Sequence, residues 1–118
     1  MFSGIVIKGD GLGKNFGYPT ANLDIDKKTA GLKPGVYAAY AFLRKKKYPA
    51  ALVLKDKPWK VEVHLLDYKG ENFYGALLKV KPVQKVGEAV SFDMKEELTN
   101  KIGKDLKKIK KALKISNV

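Results

Sequence analysis

The fold is indicated most directly by residues 36–54, which read VYAAYAFLRKKKYPAALVL. Two apolar runs, Val36–Leu43 and Tyr48–Leu54, flank the charged segment Arg44–Lys47. Apolar runs of this length are typical of strands, and a short polar segment between two of them predicts a hairpin. We therefore predict a β-hairpin here, which begins after a turn at Lys33–Gly35.

Further short strands are predicted on both sides of this hairpin. Phe2–Ile7 is apolar and β-branched and ends at a glycine-rich stretch. Val61–Leu65 alternates apolar and polar residues, which places Glu62 and His64 on one face of a strand. Tyr74–Val80 is predicted to be the next strand. So many short strands at close spacing favour a closed or sandwiched antiparallel β domain.

The last quarter of the chain has the period of an α-helix. Its apolar residues recur three or four positions apart and form one stripe. They are Leu98, Ile102, Leu106, Ile109 and Leu113. Asp93 and Glu96 fit a capping pair at the start of this helix. Gly103 lies inside the helix, where glycine is unfavourable, and it predicts a close contact with the β domain.

Length and composition exclude several classes of protein. The chain has 118 residues, with 24 Lys and Arg, 12 Asp and Glu, one His and no Cys, so its formal net charge is +12. This length predicts one domain over residues 1–118, because a TIM barrel or a two-domain enzyme needs about 200 residues or more. Without Cys there are no disulfides, thiolate zinc sites or cysteine nucleophiles, and a single His excludes multi-histidine metal sites.

The positive charge predicts an anionic partner without naming it. Nucleic acid, a membrane surface and a small phosphate ligand all fit. Many of the lysines fall in the predicted helix and in the hairpin turn, so we interpret most of the charge as solvated surface rather than as a nucleic-acid site. No apolar run is long enough for a signal peptide or for a membrane span of about 18 residues, and we expect a cytoplasmic protein.

The densest chemical signal is the stretch 9–22, GDGLGKNFGYPTAN. Its four glycines allow backbone N–H groups to converge on a bulky anion, and Lys14 can add a charge on a phosphate. The spacing matches neither a Walker loop nor the dinucleotide fingerprint, since Asn15 follows Lys14 where a Walker loop has Ser or Thr. A glycine-rich turn between strands remains the alternative.

Thr20 and Asn22 are candidate metal ligands within this stretch. If the segment is extended, residues two apart lie on the same face. A hydroxyl and an amide oxygen are neutral, hard ligands that suit Mg²⁺ held jointly with phosphates. The alternative is a polar turn in which both side chains bond to the backbone.

These residues resemble the signature of ATP-dependent riboflavin kinases of the bacterial and eukaryotic type. The resemblance begins in Gly9–Leu23, which contains GYPTANL. It continues in the family's order through Pro34–Tyr37, Val61–Asp67 and Phe73–Gly75. The tail from Phe92 is similar to the family's C-terminal helix. The resemblance therefore covers most of the chain.

The resemblance implies a mainly β fold, a six-stranded antiparallel Greek-key β-barrel with a C-terminal α-helix. It implies transfer of the ATP γ-phosphoryl group to the riboflavin 5′-hydroxyl, giving FMN and ADP, with Glu62 as general base and with Mg²⁺ on Thr20 and Asn22. The residues implied to cover the nucleotide phosphates are Gly9, Gly11, Gly13, Lys14, Gly17, Tyr18 and Pro19. The expected partners are riboflavin or FMN and ATP or ADP, with no membrane, and the expected state is a monomer. From the alternation alone, Glu62 is better interpreted as a solvated strand residue, and we interpret His64 as a structural neighbour.

Two segments depart from the family's pattern. Val53–Lys60 is shorter than its counterpart, and Val86–Glu88 lacks the arginine of a loop that contacts flavin in the family. An adenylyltransferase domain is not expected in this chain, so neither is FAD synthesis. These departures leave open a degenerate barrel that binds flavin or nucleotide without turnover.

A basic nucleic-acid-binding β-barrel is a third possibility. The charged segment Arg44–Lys47 and the aromatic residues near it suggest this possibility, because such barrels stack bases on aromatic rings beside basic side chains. The aromatic residues are Tyr40, Phe42, Tyr48 and Trp59. We favour the alternative in which these rings fill the barrel.

Overall fold

A computed structural model describes residues 1–7, 20–66, 68, 73–89 and 95–114. The strands are β1 (Phe2–Ile7), β2 (Thr20–Leu23), β3 (Gly35–Leu43), β4 (Lys46–Lys55), β5 (Lys60–Leu65) and β6 (Leu77–Gly87). The helices are α1 (Lys27–Ala30) and α2 (Lys95–Leu113). Neither of these two helices is long and apolar enough to cross a membrane.

The six strands close into an antiparallel barrel in the order β1-β2-β5-β4-β3-β6. β3, β4 and β5 are consecutive neighbours, and β6 returns to lie beside β3, which is the Greek-key order. The barrel closes where β1 pairs with β6, with Phe2 opposite Val80. The predicted barrel with a C-terminal helix is confirmed.

Alternate residues of each strand fill the interior of the barrel. The largest fully buried side chains of this cluster are Leu52, Leu54, Val63, Leu65, Leu78 and Val80. A second apolar cluster lies on the outer face, where Val36 and Val53 pack with Ile109 and Leu113 of α2. Burying a side chain of this size stabilises the fold by roughly 1.5–3 kcal/mol, so α2 is attached to the barrel by its apolar stripe.

Helix α2 confirms the predicted period but not the predicted role of its glycine. Ile109 and Leu113 are buried and Leu106 is half-buried. The side chains of Leu98 and Ile102, and the cap at Asp93, lie outside the described residues. No heavy atom of the described residues lies within 4 Å of a Cβ built on Gly103, so the expected close contact with the barrel is wrong.

Two strand boundaries also differ from expectation. The hairpin turn consists of Arg44 and Lys45 alone, because Lys46 already pairs with Leu43. The last strand starts at Leu77 rather than at Tyr74, since a turn precedes it in which the Ala76 N–H donates to the Phe73 carbonyl. That strand also continues seven positions beyond the predicted end, to Gly87.

Candidate active site

Strands β2 and β5 bring the predicted metal and catalytic positions together. In their antiparallel register Asn22 lies opposite Glu62, and Thr20 lies opposite His64. Opposed residues of an antiparallel pair lie on the same face of the sheet, with Cβ atoms about 4.5–5.5 Å apart. The segment 20–22 is therefore extended, as the metal-ligand interpretation requires, and the predicted shared face of Glu62 and His64 is confirmed.

This face is the outside of the barrel, beside the cluster that α2 covers. On its other side Glu62 pairs with Val53 of β4, and His64 pairs with Ala51. Val53 and Ala51 belong to the outer cluster that packs against α2. Glu62 is consequently only 5% exposed, and its interpretation as a solvated strand residue is wrong.

The buried carboxylate of Glu62 has a cationic partner that sequence reasoning missed. Lys55 Nζ lies 3.2 Å from Glu62 Oε1, and the lysine side chain is one-third exposed. Lys55 pairs with Lys60 in the register, which places it diagonally from Glu62 on the same face. A buried carboxylate without such a partner is strongly unfavourable, so Lys55 both compensates and orients it.

His64 is buried beside the same carboxylate, with Nε2 3.9 Å from Glu62 Oε2. Burial is the main cause that lowers the pKa of His64 from 6.5 to about 4, and the nearby Lys55 charge lowers it further. The imidazole is therefore neutral at neutral pH. It does not form an ion pair with Glu62 under those conditions, which agrees with its interpretation as a structural neighbour.

Among the described residues no group of three or more His, Cys, Asp or Glu side chains is placed to hold a metal ion. Oxygen donors are nevertheless present, since the half-buried Asn22 stands beside the carboxylate of Glu62. Hard oxygen ligands of this kind fit Mg²⁺.

The connection between β1 and β2 starts and ends at this site. Ile7, the last residue of β1, pairs with Asn22, which pairs with Glu62, so the described strand ends on either side of residues 8–19 lie next to Glu62. The side chain of Thr20 and all the residues implied to cover the phosphates lie outside the described residues. The latter are Gly9, Gly11, Gly13, Lys14, Gly17, Tyr18 and Pro19.

A second buried acidic residue lies on α2, close to the end of β6. Asp105 is buried and forms an ion pair with Lys101. A Cβ built on Gly87 of β6 would lie 2.6 Å from Asp105 Oδ1. Gly87 pairs with Val36, which pairs with Val53 next to Glu62. The spacing of Lys101 and Asp105, four apart on a helix, was the available sequence signal for this pair.

A family model described as riboflavin kinase, or flavokinase, matches residues 1–113 of the chain. The chain belongs to the riboflavin kinase family. The predicted family is thereby confirmed.

Three similar proteins show how far the likeness extends. An RNA-binding riboflavin kinase of Bacillus subtilis (strain 168) is 30% identical over 100% of the chain and 53% of its own length. A bifunctional riboflavin kinase/FMN adenylyltransferase of the same organism is 32% identical over 89% of the chain and 36% of its own length. The crystal structure of riboflavin kinase from Trypanosoma brucei has a TM-score of 0.71 at 25% identity, covering 95% of this chain and 78% of that one. The chain thus spans about half or less of the two bacterial relatives.

Proposed function

We propose that this chain transfers the γ-phosphoryl group of ATP to the 5′-hydroxyl of riboflavin, giving FMN and ADP, with Glu62 as general base. One observation carries the proposal: the carboxylate of Glu62 is buried opposite Asn22, where residues 8–19 join the barrel. Membership of the riboflavin kinase family supports the same reaction. We propose further that residues 1–118 form one domain that acts as a cytoplasmic monomer.

Phosphoryl transfer requires that the attacking hydroxyl be positioned and that its proton be removed. In the proposed step the 5′-oxygen bonds to the γ-phosphorus as the bond to the β,γ-bridging oxygen breaks, and the proton passes to Glu62. Lys55 binds Oε1 and thereby orients the carboxylate, while Oε2 stays outside that ion pair. A positioned base of this kind contributes typically about 10²–10⁴-fold to the rate.

The phosphates would be held at the β2 side of Glu62. Mg²⁺ on Thr20 and Asn22 would offset the charge of the transferring phosphoryl group. The backbone of the glycine-rich stretch 9–17 would cover the nucleotide, with Lys14 on a phosphate. These roles rest on the resemblance to the family and on the position of Asn22 beside Glu62.

The test is FMN formation from riboflavin and Mg-ATP, followed by chromatography with purified protein. Glu62→Gln should lower kcat by about 10²–10⁴-fold and keep the fold, since the amide retains the size of the carboxylate. Asp24→Asn is the matched control, because Asp24 is an exposed carboxylate, and its activity should equal that of the wild type.

Two results would contradict the proposal: no FMN from the wild-type chain, or undiminished FMN from Glu62→Gln. Tight flavin binding in a calorimetric titration without turnover would favour the degenerate, binding-only barrel instead.

A further inference from the structure

The outer face of the barrel at the β3–β4 turn carries a group of basic and aromatic residues that the proposed reaction does not use. We call it the basic end. It consists of Tyr40, Phe42, Arg44, Lys45, Lys47, Lys79 and Lys81. It is remote from Glu62, since Phe42 lies six positions along β3 from Val36, which is about 20 Å of extended chain.

The strand register places Phe42 between two lysines. Phe42 pairs with Lys47 on β4 and with Lys79 on β6, so all three side chains belong to the outer face. Two positions along β3, Tyr40 pairs with Lys81. Lys47 Nζ also lies 4.1 Å from the centroid of the Tyr40 ring. Aromatic and cationic side chains therefore alternate across three neighbouring strands.

Phe42 also lines a hollow of about 430 Å³. The other residues of its wall are Met1, Arg44, Lys45, Leu77 and Lys79. The segments 38–55 and 77–87 contain neither Asp nor Glu, so the strands that form this surface supply positive charge only. A half-buried ring with cations around it fits a flat, aromatic ligand that also carries negative charge.

The turn itself is built at a conformational cost. Arg44 and Lys45 have φ values of 50° and 71°, the left-handed region that a two-residue hairpin turn requires and that Asn-Gly fills best. Within the part of the chain that the structure describes, neither side chain forms an ion pair. The turn therefore presents two adjacent, exposed cations at the edge of the hollow beside Phe42.

Three of the four aromatic residues near the turn are used by the fold, and Phe42 is the exception. Tyr40 Oη donates to the Leu113 carbonyl at 3.3 Å, and Tyr40 packs against the outer cluster beneath α2. Tyr48 stacks edge-on against Tyr68, with ring centroids 5.6 Å apart. Trp59 Nε1 donates to the Ile25 carbonyl at 2.8 Å. The expectation that all four rings fill the barrel thus holds for Tyr48 and Trp59, and the register leaves Tyr40 and Phe42 outside.

We propose that the basic end binds single-stranded nucleic acid, with one base stacked on Phe42 and backbone phosphates on Arg44, Lys45 and Lys79. Single strands expose the faces of their bases, and stacking on an aromatic ring accepts any base. Basic side chains on both sides of the ring meet the phosphates on either side of the stacked base. Phe42 is recessed among cations, which suits a base better than insertion into a lipid surface.

The test uses the full chain and a fluorescent single-stranded RNA of about 12 nucleotides, with its DNA counterpart and its duplex, at about 150 mM salt. The wild type should bind either single strand more tightly than the duplex. Phe42→Ala should weaken single-strand binding roughly tenfold or more, so that its affinity for the single strand approaches its affinity for the duplex. Phe42→Tyr keeps a ring and should restore the affinity.

Charge is tested by Arg44→Asn/Lys45→Gly, which removes two cations and supplies the residues that the turn prefers. Its thermal unfolding midpoint should equal or exceed that of the wild type, while the salt dependence of single-strand binding falls by about 1.4 in slope, or about 0.7 for each lost phosphate contact. The matched control is Lys28→Gln/Lys33→Gln, two exposed lysines away from the β3–β4 turn. Both variants should keep FMN formation, so this test is independent of the proposed reaction.

The proposal is overturned if no single strand binds at this salt concentration, if the duplex binds as tightly and Phe42→Ala changes nothing, or if the control pair weakens binding as much as the turn pair. Binding to anionic phosphatidylserine vesicles without binding to the single strands would overturn it in favour of a membrane surface.

Discussion

Glu62 and Lys55 form a charge pair of unequal exposure, with the carboxylate buried and the ammonium at the surface. Such a pair contributes little net stability, but the removal of one partner leaves the other charge uncompensated. Here Lys55 is the partner that reaches solvent, so the burial of Glu62 depends on it. The integrity of the candidate base is therefore linked to a residue outside the family signature.

Lys55→Gln should lower the free energy of unfolding by about 1–3 kcal/mol, because it leaves the buried Glu62 carboxylate with a weaker, neutral partner. Lys27→Gln is the matched control, since Lys27 pairs with Asp56 at the surface and the loss of such an exposed pair should destabilise the fold less than the loss of Lys55. Urea denaturation of both variants measures the difference. Equal costs would show that the Lys55 pair acts as an ordinary surface pair.

The burial of His64 predicts how stability depends on pH. Its pKa is about 4 in the folded protein against 6.5 as the ordinary value. Between these pH values the unfolded chain binds the proton more tightly, so the free energy of unfolding falls as the pH is lowered through this window and His64 contributes no slope above it. From pH 6.5 to pH 5 the His64 contribution is about 1.6 kcal/mol.

Denaturation curves of wild type and His64→Gln across this range measure that contribution. The variant should lose about 1.6 kcal/mol less than the wild type between pH 6.5 and pH 5. The same slope in both proteins would exclude His64 as the source.

At the level of elements, the contact between α2 and the end of β6 depends on the absence of a side chain at Gly87. A Cβ there would lie 2.6 Å from Asp105 Oδ1 and 3.0 Å from Lys101 Nζ. Both side chains take part in the ion pair on α2. A side chain at position 87 would therefore force the Asp105 and Lys101 side chains, or the helix that carries them, to shift.

Gly87→Ala should destabilise the protein by about 1–3 kcal/mol, because the helix or the ion pair must shift. Gly103→Ala in α2 is the matched control and should stabilise the protein. Its Cβ meets no described atom within 4 Å outside its own helix backbone and chain neighbours, and alanine is favoured over glycine in a helix by about 0.5–1 kcal/mol. Thermal unfolding of both variants gives the comparison. A stabilised Gly87→Ala would mean that α2 does not pack as described.

For the molecule as a whole, local sequence patterns predicted most of the strands and the long helix. Which of their side chains are buried and which are exposed depends on the pairing of strands far apart in the sequence. The alternation in 61–65 correctly placed Glu62 and His64 on one face. It did not predict their burial, because burial depends on Val53 and Ala51 of β4 and on α2 above them. Lys55 was missed for the same reason, since its diagonal position exists only once β4 and β5 are aligned.

The predicted ends of strands were wrong where the local sequence pattern was weak or misleading. The end of β6 includes Pro82 and two charged residues, which give no apolar alternation, yet β3 beside it supplies the hydrogen-bonding partner. The four residues of α1 are too few for a helical period. In the hairpin the charge of Lys46 and Lys47 indicated turn, whereas a two-residue turn lets both residues pair within the sheet.

The closure of the barrel also has a consequence for synthesis of the protein. β1 leaves the ribosome before the other five strands, but its partner across the closing seam is β6, with Phe2 opposite Val80. The seam cannot form until nearly the whole sheet has been translated, and the entropy of closing so long a loop makes it a late step. Until then the nascent chain carries an unpaired strand edge, the period in which a chaperone has most to shield.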